Sequence, residues 1–122
     1  MIRVFLADSQ PQVRSALRLL LQDLNMLVVG ETADWFSALA QAPDTYPHML
    51  LIGWDLITLV PGATLAQLRW ACINPVIIVL ISHMESRQQA ALSVGADAFI
   101  SRGEMPDRVA EHLRAAAACV RA

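Results

Sequence analysis

A doubly wound α/β fold, one five-stranded parallel sheet covered by helices on both faces, is the architecture this sequence predicts, and three observations carry the prediction. Short apolar runs recur along the chain, helical apolar spacing appears between them, and turn or cap residues separate the two kinds of segment. Strands that are apolar throughout are buried on both faces, so the intervening helices must cover both sides. Right-handed crossovers then make 2-1-3-4-5 the expected strand order.

The elements follow in sequence. Ile2-Arg3-Val4-Phe5-Leu6-Ala7 is a first strand ending at Asp8. Pro11 suits the first turn of a helix, where a missing N–H costs nothing, and Val13, Ala16, Leu17, Leu20, Leu21 and Leu24 then recur at helical spacing. Met26 to Gly30 reads as a second strand. Asp34 is placed to N-cap a short helix carrying Phe36, Leu39 and Ala40 as far as the turn at Pro43-Asp44. Met49-Leu50-Leu51-Ile52 is the third strand, and Gly53 stands where it should open onto a ligand-facing loop. That loop is predicted to run through Pro61-Gly62 to a short helix around Leu65 to Cys72. Val76-Ile77-Ile78-Val79-Leu80-Ile81, after Asn74-Pro75, is the run with the strongest strand character. Glu85 to Val94 is expected as a helix closed by Gly95, Ala98-Phe99-Ile100 as a fifth strand, and Pro106-Asp107 as the start of a last helix. Val109, Leu113, Ala116, Ala117 and Val120 give that helix one buried face.

Composition limits the function classes. A chain of 122 residues, 56% hydrophobic and 16% charged, fits a single domain over residues 1–122 with its own core. The apolar runs fall far short of the roughly 18 residues a membrane span needs, and Met1-Ile2-Arg3-Val4 lacks a signal-peptide layout, so a cytoplasmic protein with no membrane contact is expected. The net charge is −2 and the nine basic residues, all arginine, are scattered, which argues against direct nucleic-acid binding. The absence of lysine excludes Schiff-base chemistry, and neither a phosphate-cradling glycine loop nor a hydrolytic triad is present. No enzymatic activity is expected. Cys72 and Cys119 read as core thiols, and His48, His83 and His112 as solvent-facing or locally bonded. Trp54 to Val60 is too apolar for a solvated turn: it either tucks under the next helix as core or presents a patch to a partner, and Trp35 and Trp70 read as half-exposed. The alanine-rich stretch Ala115 to Ala118 is expected to lead into a linker where the domain belongs to a longer protein.

In doubly wound sheets a ligand site lies outside the carboxyl ends of the central strands. Here that edge collects Asp8-Ser9, Gly53-Trp54-Asp55, Ser82-His83 and Ser101-Arg102.

An ordered set of residues at these sheet ends carries a resemblance. Asp8 after the first strand, Pro11, Val28-Val29-Gly30-Glu31, Pro47, Ser82, and Gly95-Ala96-Asp97 before Phe99 resemble the flavodoxin-like receiver domain of two-component response regulators over essentially the whole chain. The pattern is most similar to receivers of regulators that carry a C-terminal helix-turn-helix effector, and no such effector lies within these 122 residues. The resemblance implies a part in phosphorelay signal transduction. A receiver takes a phosphoryl group from a histidine kinase onto an aspartate at the end of strand three. Mg²⁺ is held there by that aspartate, an acidic pair after strand one and a backbone carbonyl; a lysine after strand five and a hydroxyl after strand four bind the phosphoryl oxygens.

Matched residue by residue, Asp8 is kept, Ser9 stands in place of the second acid, and Gly53 occupies the acceptor position. Ser82 supplies the hydroxyl, Arg102 replaces the lysine, Ile57-Thr58 replaces the usual Pro-Gly, and Phe99 takes the place of the switch aromatic. Glycine has no nucleophile, so Gly53 cannot be phosphorylated. Asp55 is then either a surrogate acceptor or a loop carboxylate paired with Arg102 or solvent. Asp8 and Asp55 could hold Mg²⁺ only weakly, and no other cofactor is expected. Arg102 either forks onto Asp8 or Asp55, filling the place the metal would neutralise, or is a surface arginine without a special partner. The leading expectation is a pseudo-receiver that signals by contact with protein partners: a histidine kinase, an effector, another receiver, or a second copy through the fourth helix, fifth strand and fifth helix. The alternatives are a phosphorylatable receiver using Asp55 and a small-ligand-binding switch domain.

Overall fold

Five apolar runs build the sheet: β1 (Arg3–Ala7), β2 (Leu27–Thr32), β3 (Met49–Gly53), β4 (Val76–Ile81) and β5 (Ala98–Ser101). All neighbours pair in parallel in the order β2-β1-β3-β4-β5, as the alternation of strand and helix predicts. The structure, a computed structural model, describes residues 1–60, 62–82 and 95–120. The helix expected over Glu85 to Val94, with His83 before it, lies outside the described residues.

Each central strand serves two cores because consecutive side chains point to opposite faces. On one face Phe5, Leu50, Ile52, Ile77 and Val79 pack beneath α2 (Trp35–Thr45), α3 (Trp54–Thr58) and α4 (Leu65–Ala71). On the other, Val4, Leu6, Leu51, Ile78 and Leu80 meet Leu17 and Leu21 of α1 (Pro11–Asp23) and Val109 and Leu113 of α5 (Pro106–Ala117). Both faces of β3 are therefore dry, which explains its uninterrupted apolar sequence. No helix among the described residues is long and apolar enough to cross a membrane.

β1 and β2 do not pair evenly. Val4 lies opposite Val28 but Phe5 opposite Gly30, so Val29 is an extra residue on the edge strand. A Cβ on Gly30 would come within 2.6 Å of the Phe5 ring. Glycine here is a packing requirement of the first core.

Several local expectations are corrected. The stretch after β3 is not a loop throughout: Trp54 to Thr58 form the helical turn of α3, and Trp54, Leu56 and Ile57 are buried against the sheet. Of the two readings of this apolar stretch, burial as core is the one found for these three side chains, while Leu59 is exposed. α2 is rotated from its expected phase. Asp34 does cap it, accepting from Ser37 N at 2.8 Å, but the buried stripe is Trp35, Ala38 and Ala42, leaving Phe36 exposed and Trp35 buried rather than half-exposed. The helix continues past Pro43 to Thr45 and ends at Tyr46 with φ +50°. Trp70 is largely exposed, and of the two thiols Cys72 is buried while Cys119 is exposed, because Cys119 lies beyond the end of α5.

α4 ends in strain. Cys72 N donates to Leu68 O and Asn74 N to Arg69 O, the bond of a Schellman turn, with Ile73 at the left-handed position, φ +60°, that glycine normally fills. A β-branched residue there crowds its own backbone, and Ile73 is 81% exposed, so no packing offsets the strain. Ile73→Gly is expected to raise stability by about 0.5–1 kcal/mol, the relief being reduced by glycine's greater freedom when unfolded. A higher urea midpoint at unchanged m-value is the check.

Candidate functional site

The carboxyl ends of β1, β3 and β5 converge on one charged cluster. Asp8 is fixed as the chain leaves β1: its N–H donates to Thr32 O at 3.1 Å and its Oδ1 accepts from Gln10 N at 2.9 Å. Its carboxylate is 1% exposed. Gly53 ends β3 and N-caps α3 with φ −66° and ψ 136°, which places Asp55 in the first helical turn. A carboxylate there is favoured by the helix dipole, although a helix this short supplies little of it. Arg102 leaves β5 with its own N–H bonded to Ile81 O at 2.7 Å, and its side chain reaches back across the sheet edge.

The guanidinium joins both acids. Nη2 donates to Asp8 Oδ2 at 2.8 Å and to Asp55 Oδ1 at 2.7 Å, while Nε donates to Asp8 Oδ2 at 3.1 Å. Asp55 Oδ2 in turn accepts from the Ser9 hydroxyl at 2.6 Å. Of the two expectations for Arg102, the fork onto the acids is the one found, and it engages Asp8 and Asp55 together. Ser9, read from sequence as the place of a missing acid, orients Asp55. Gly53 lies directly beneath this cluster: a Cβ there would stand 2.6 Å from Arg102 Nη2 and 2.9 Å from both Asp55 Oδ1 and Asp8 Oδ2.

Ionisation follows these contacts. Burial alone would raise the Asp55 pKa, but the Ser9 and Arg102 bonds outweigh it and hold the carboxyl below its ordinary value of 3.8. Burial likewise opposes the charge on Arg102, yet its bonds to Asp8 and Asp55 push its pKa further up. An acid whose pKa falls on folding adds stability that is present above its unfolded value and lost as pH drops through the folded one. Wild-type stability should therefore fall below about pH 4 more steeply than that of Asp55→Asn, which urea melts from pH 6 downward can measure.

The donor set does not fit the divalent cation that receivers hold. Mg²⁺ wants free, hard carboxylate oxygens. Here Asp8 Oδ2 and Asp55 Oδ1 are bonded to a guanidinium, Asp8 Oδ1 to a backbone N–H and Asp55 Oδ2 to a hydroxyl. No group of three or more His, Cys, Asp or Glu among the described residues is placed to hold a metal. His48 accepts from Arg3 N at 2.9 Å, a local bond as expected, and His112 Nε2 lies 3.1 Å from Glu104 Oε2.

The remaining site residues are close by in the fold without joining these particular bonds. Ser82 follows β4 directly and is half-buried. Phe99 sits within β5 and packs, partly buried, against the core beneath α2 to α4. Spacing gives no signal for what Gly53 does, because the contacts around it form only through the fold: Arg102 reaches Asp8 across 94 residues and Asp55 across 47.

A parallel sheet in this order with an acid after β1, an acid after β3 and a cation after β5 defines a receiver-type module. The chain belongs to the response regulator receiver domain family, which it matches over residues 4–114. It is the receiver domain of a two-component response regulator. It is 28% identical over 118 residues to the uncharacterized transcriptional regulatory protein YxjL of Bacillus subtilis, covering 95% of this chain and 54% of that protein. The chain thus spans about half the length of this curated relative. Two solved structures share the fold. The isolated receiver domain of RcsB from Salmonella enterica, in the presence of phosphomimetic BeF3−, has a TM-score of 0.82 at 20% identity over 99% of this chain and 91% of that one. The receiver domain of the putative regulator NarL from Mycobacterium tuberculosis has a TM-score of 0.74 at 24% identity over 95% and 96%.

Proposed function

We propose that this receiver domain signals by protein contact and carries no aspartyl phosphate at the end of β3. The observation that carries the reading is the surrounding of Gly53. The position has no nucleophile, and the space in which an acceptor's first side-chain atom would stand is 2.6 Å from Arg102 Nη2. The acceptor is absent and its place is taken.

Among the described residues Asp8 and Asp55 are the carboxylates beside that position, and Asp55 is the candidate surrogate acceptor. Its Oδ1 is bonded to Arg102 and its Oδ2 to Ser9, whereas attack on a phosphoryl donor requires a free oxygen held in line with the leaving group. The cluster also lacks a free carboxylate pair for the metal that would neutralise the transferring group. A switch driven by a small anionic metabolite is disfavoured by charge: two carboxylates and one guanidinium leave the crevice with a net negative charge.

Partners of such a module are other proteins: a kinase, an effector, another receiver or a second copy. A structure of the similar RcsB shows that protein bound to promoter DNA. For this domain the net charge of −2 supports contact with proteins in preference to nucleic acid.

The test is an amide NMR titration with Mg²⁺ and BeF3−. The resonances of Asp8, Gly53, Asp55 and Arg102 are expected to stay in place. Saturable shifts at these residues that disappear in Asp55→Ala would establish a surrogate acceptor and overturn the proposal.

A further inference from the structure

We infer that Arg102 is the resident cation of this crevice, that Gly53 is glycine in order to admit it, and that guanidinium and divalent metal exclude each other there. The inference rests on the reading that the crevice is not a phosphoryl site, and it names the cation that occupies it.

Gly53 answers no conformational need of the backbone. Its φ of −66° and ψ of 136° are available to any residue, so no backbone strain calls for it. It is buried at the end of a central strand, where glycine weakens the strand and leaves a side-chain position unfilled. What glycine uniquely supplies here is the missing Cβ. Into that space Arg102 brings Nη2, shared between Asp8 Oδ2 and Asp55 Oδ1 at 2.8 and 2.7 Å. Any larger residue drives the guanidinium off the two acids. Gly53 and Arg102 are therefore one device, although 49 positions separate them in the numbering.

The charges give the same answer. Asp8 is 1% exposed, and a carboxylate so deeply buried needs a close cation. Arg102 meets that need with a charge that cannot dissociate or titrate away, unlike a bound ion. Tied in addition to Ser9, the cluster links the ends of β1 and β5 to the first turn of α3. When Arg102 is removed or displaced, Asp8 and Asp55 are left as a pair of hard oxygen donors open to water, which is a loose divalent-cation site.

Mn²⁺ binding, read by the EPR signal of the free ion, tests this on the wild type, Arg102→Ala, Gly53→Ala and each variant combined with Asp8→Asn. The wild type is expected to bind Mn²⁺ at least about tenfold more weakly than either single variant, and Asp8→Asn should abolish the gain. A gain in either single variant that Asp8→Asn removes supports the inference, so failure of one variant to fold does not decide it. Wild-type binding as tight as the variants', or no gain in either, overturns it. Neither result depends on phosphorylation: wild-type Mn²⁺ binding as tight as the variants' refutes the resident cation and leaves the missing acceptor intact, whereas a phosphate adduct on Asp55 refutes the proposed function.

Discussion

Arg102→Ala is expected to lose about 2–4 kcal/mol of folding stability at pH 7, a loss far larger than a partly exposed arginine ordinarily causes. The size follows from what remains. Asp8 stays 1% exposed, with the Gln10 N–H on Oδ1 and nothing in place of the guanidinium on Oδ2. An uncompensated buried charge costs about 3–5 kcal/mol where the site stays dry, and water entering the vacated space lowers that figure here. Arg108 provides the contrast. Its pairing with Glu111, at 3.9 Å between side chains 67% and 70% exposed, is a surface ion pair, so Arg108→Ala should change stability by no more than about 0.5 kcal/mol. Urea unfolding of the two variants side by side measures the difference. An Arg102→Ala protein as stable as the Arg108→Ala control would show that the cluster contributes little.

The second large effect is at Gly53. Gly53→Ala introduces one methyl group with no backbone penalty, and glycine-to-alanine changes in such a conformation usually stabilise by about 0.4–1 kcal/mol. Here the expected sign is reversed. The new carbon would stand 2.6 Å from Arg102 Nη2, the mobile end of a flexible side chain, so the guanidinium yields and the bonds to Asp8 and Asp55 break. The cost should approach that of Arg102→Ala, about 2 kcal/mol or more. The two losses should not add. Once the methyl group has displaced Arg102, removing its side chain takes away little more, and the double variant should resemble the worse single one. Additive losses would mean that the two residues act separately.

Much of this fold is written locally. β3 and β4 are legible because both faces of each are buried, which leaves runs such as Val76-Ile77-Ile78-Val79-Leu80-Ile81 with no polar residue. α1 and α5 are legible from a leading proline and a helical stripe. α3 is not: five residues are too few for a period to show, its cap is a glycine, and Trp54, Leu56 and Ile57 look like an apolar loop until the sheet beneath them is known. The phase of α2 was hidden by Phe36, a large apolar side chain that the fold leaves exposed while it buries the smaller Ala38 and Ala42.

The site divides in the same way. Topology alone brings Asp8, Asp55 and Arg102 to one edge, since each follows a strand end in a sheet of known order. The direction of the guanidinium is a different matter. It depends on contacts across 94 and 47 residues, which no spacing rule encodes. Gly53 shows the limit most plainly: in sequence it is a missing carboxylate, and in three dimensions it is the space a cation fills. The Ser9 hydroxyl also gains its meaning only from the 2.6 Å bond to Asp55.

Intact mass after incubation with a small phosphodonor and Mg²⁺ tests the central claim most directly, because the adduct of one phosphoryl group is unmistakable and needs no knowledge of the kinase. The wild-type mass is expected not to change. A stable phosphate adduct that is lost in Asp55→Ala would contradict the claim.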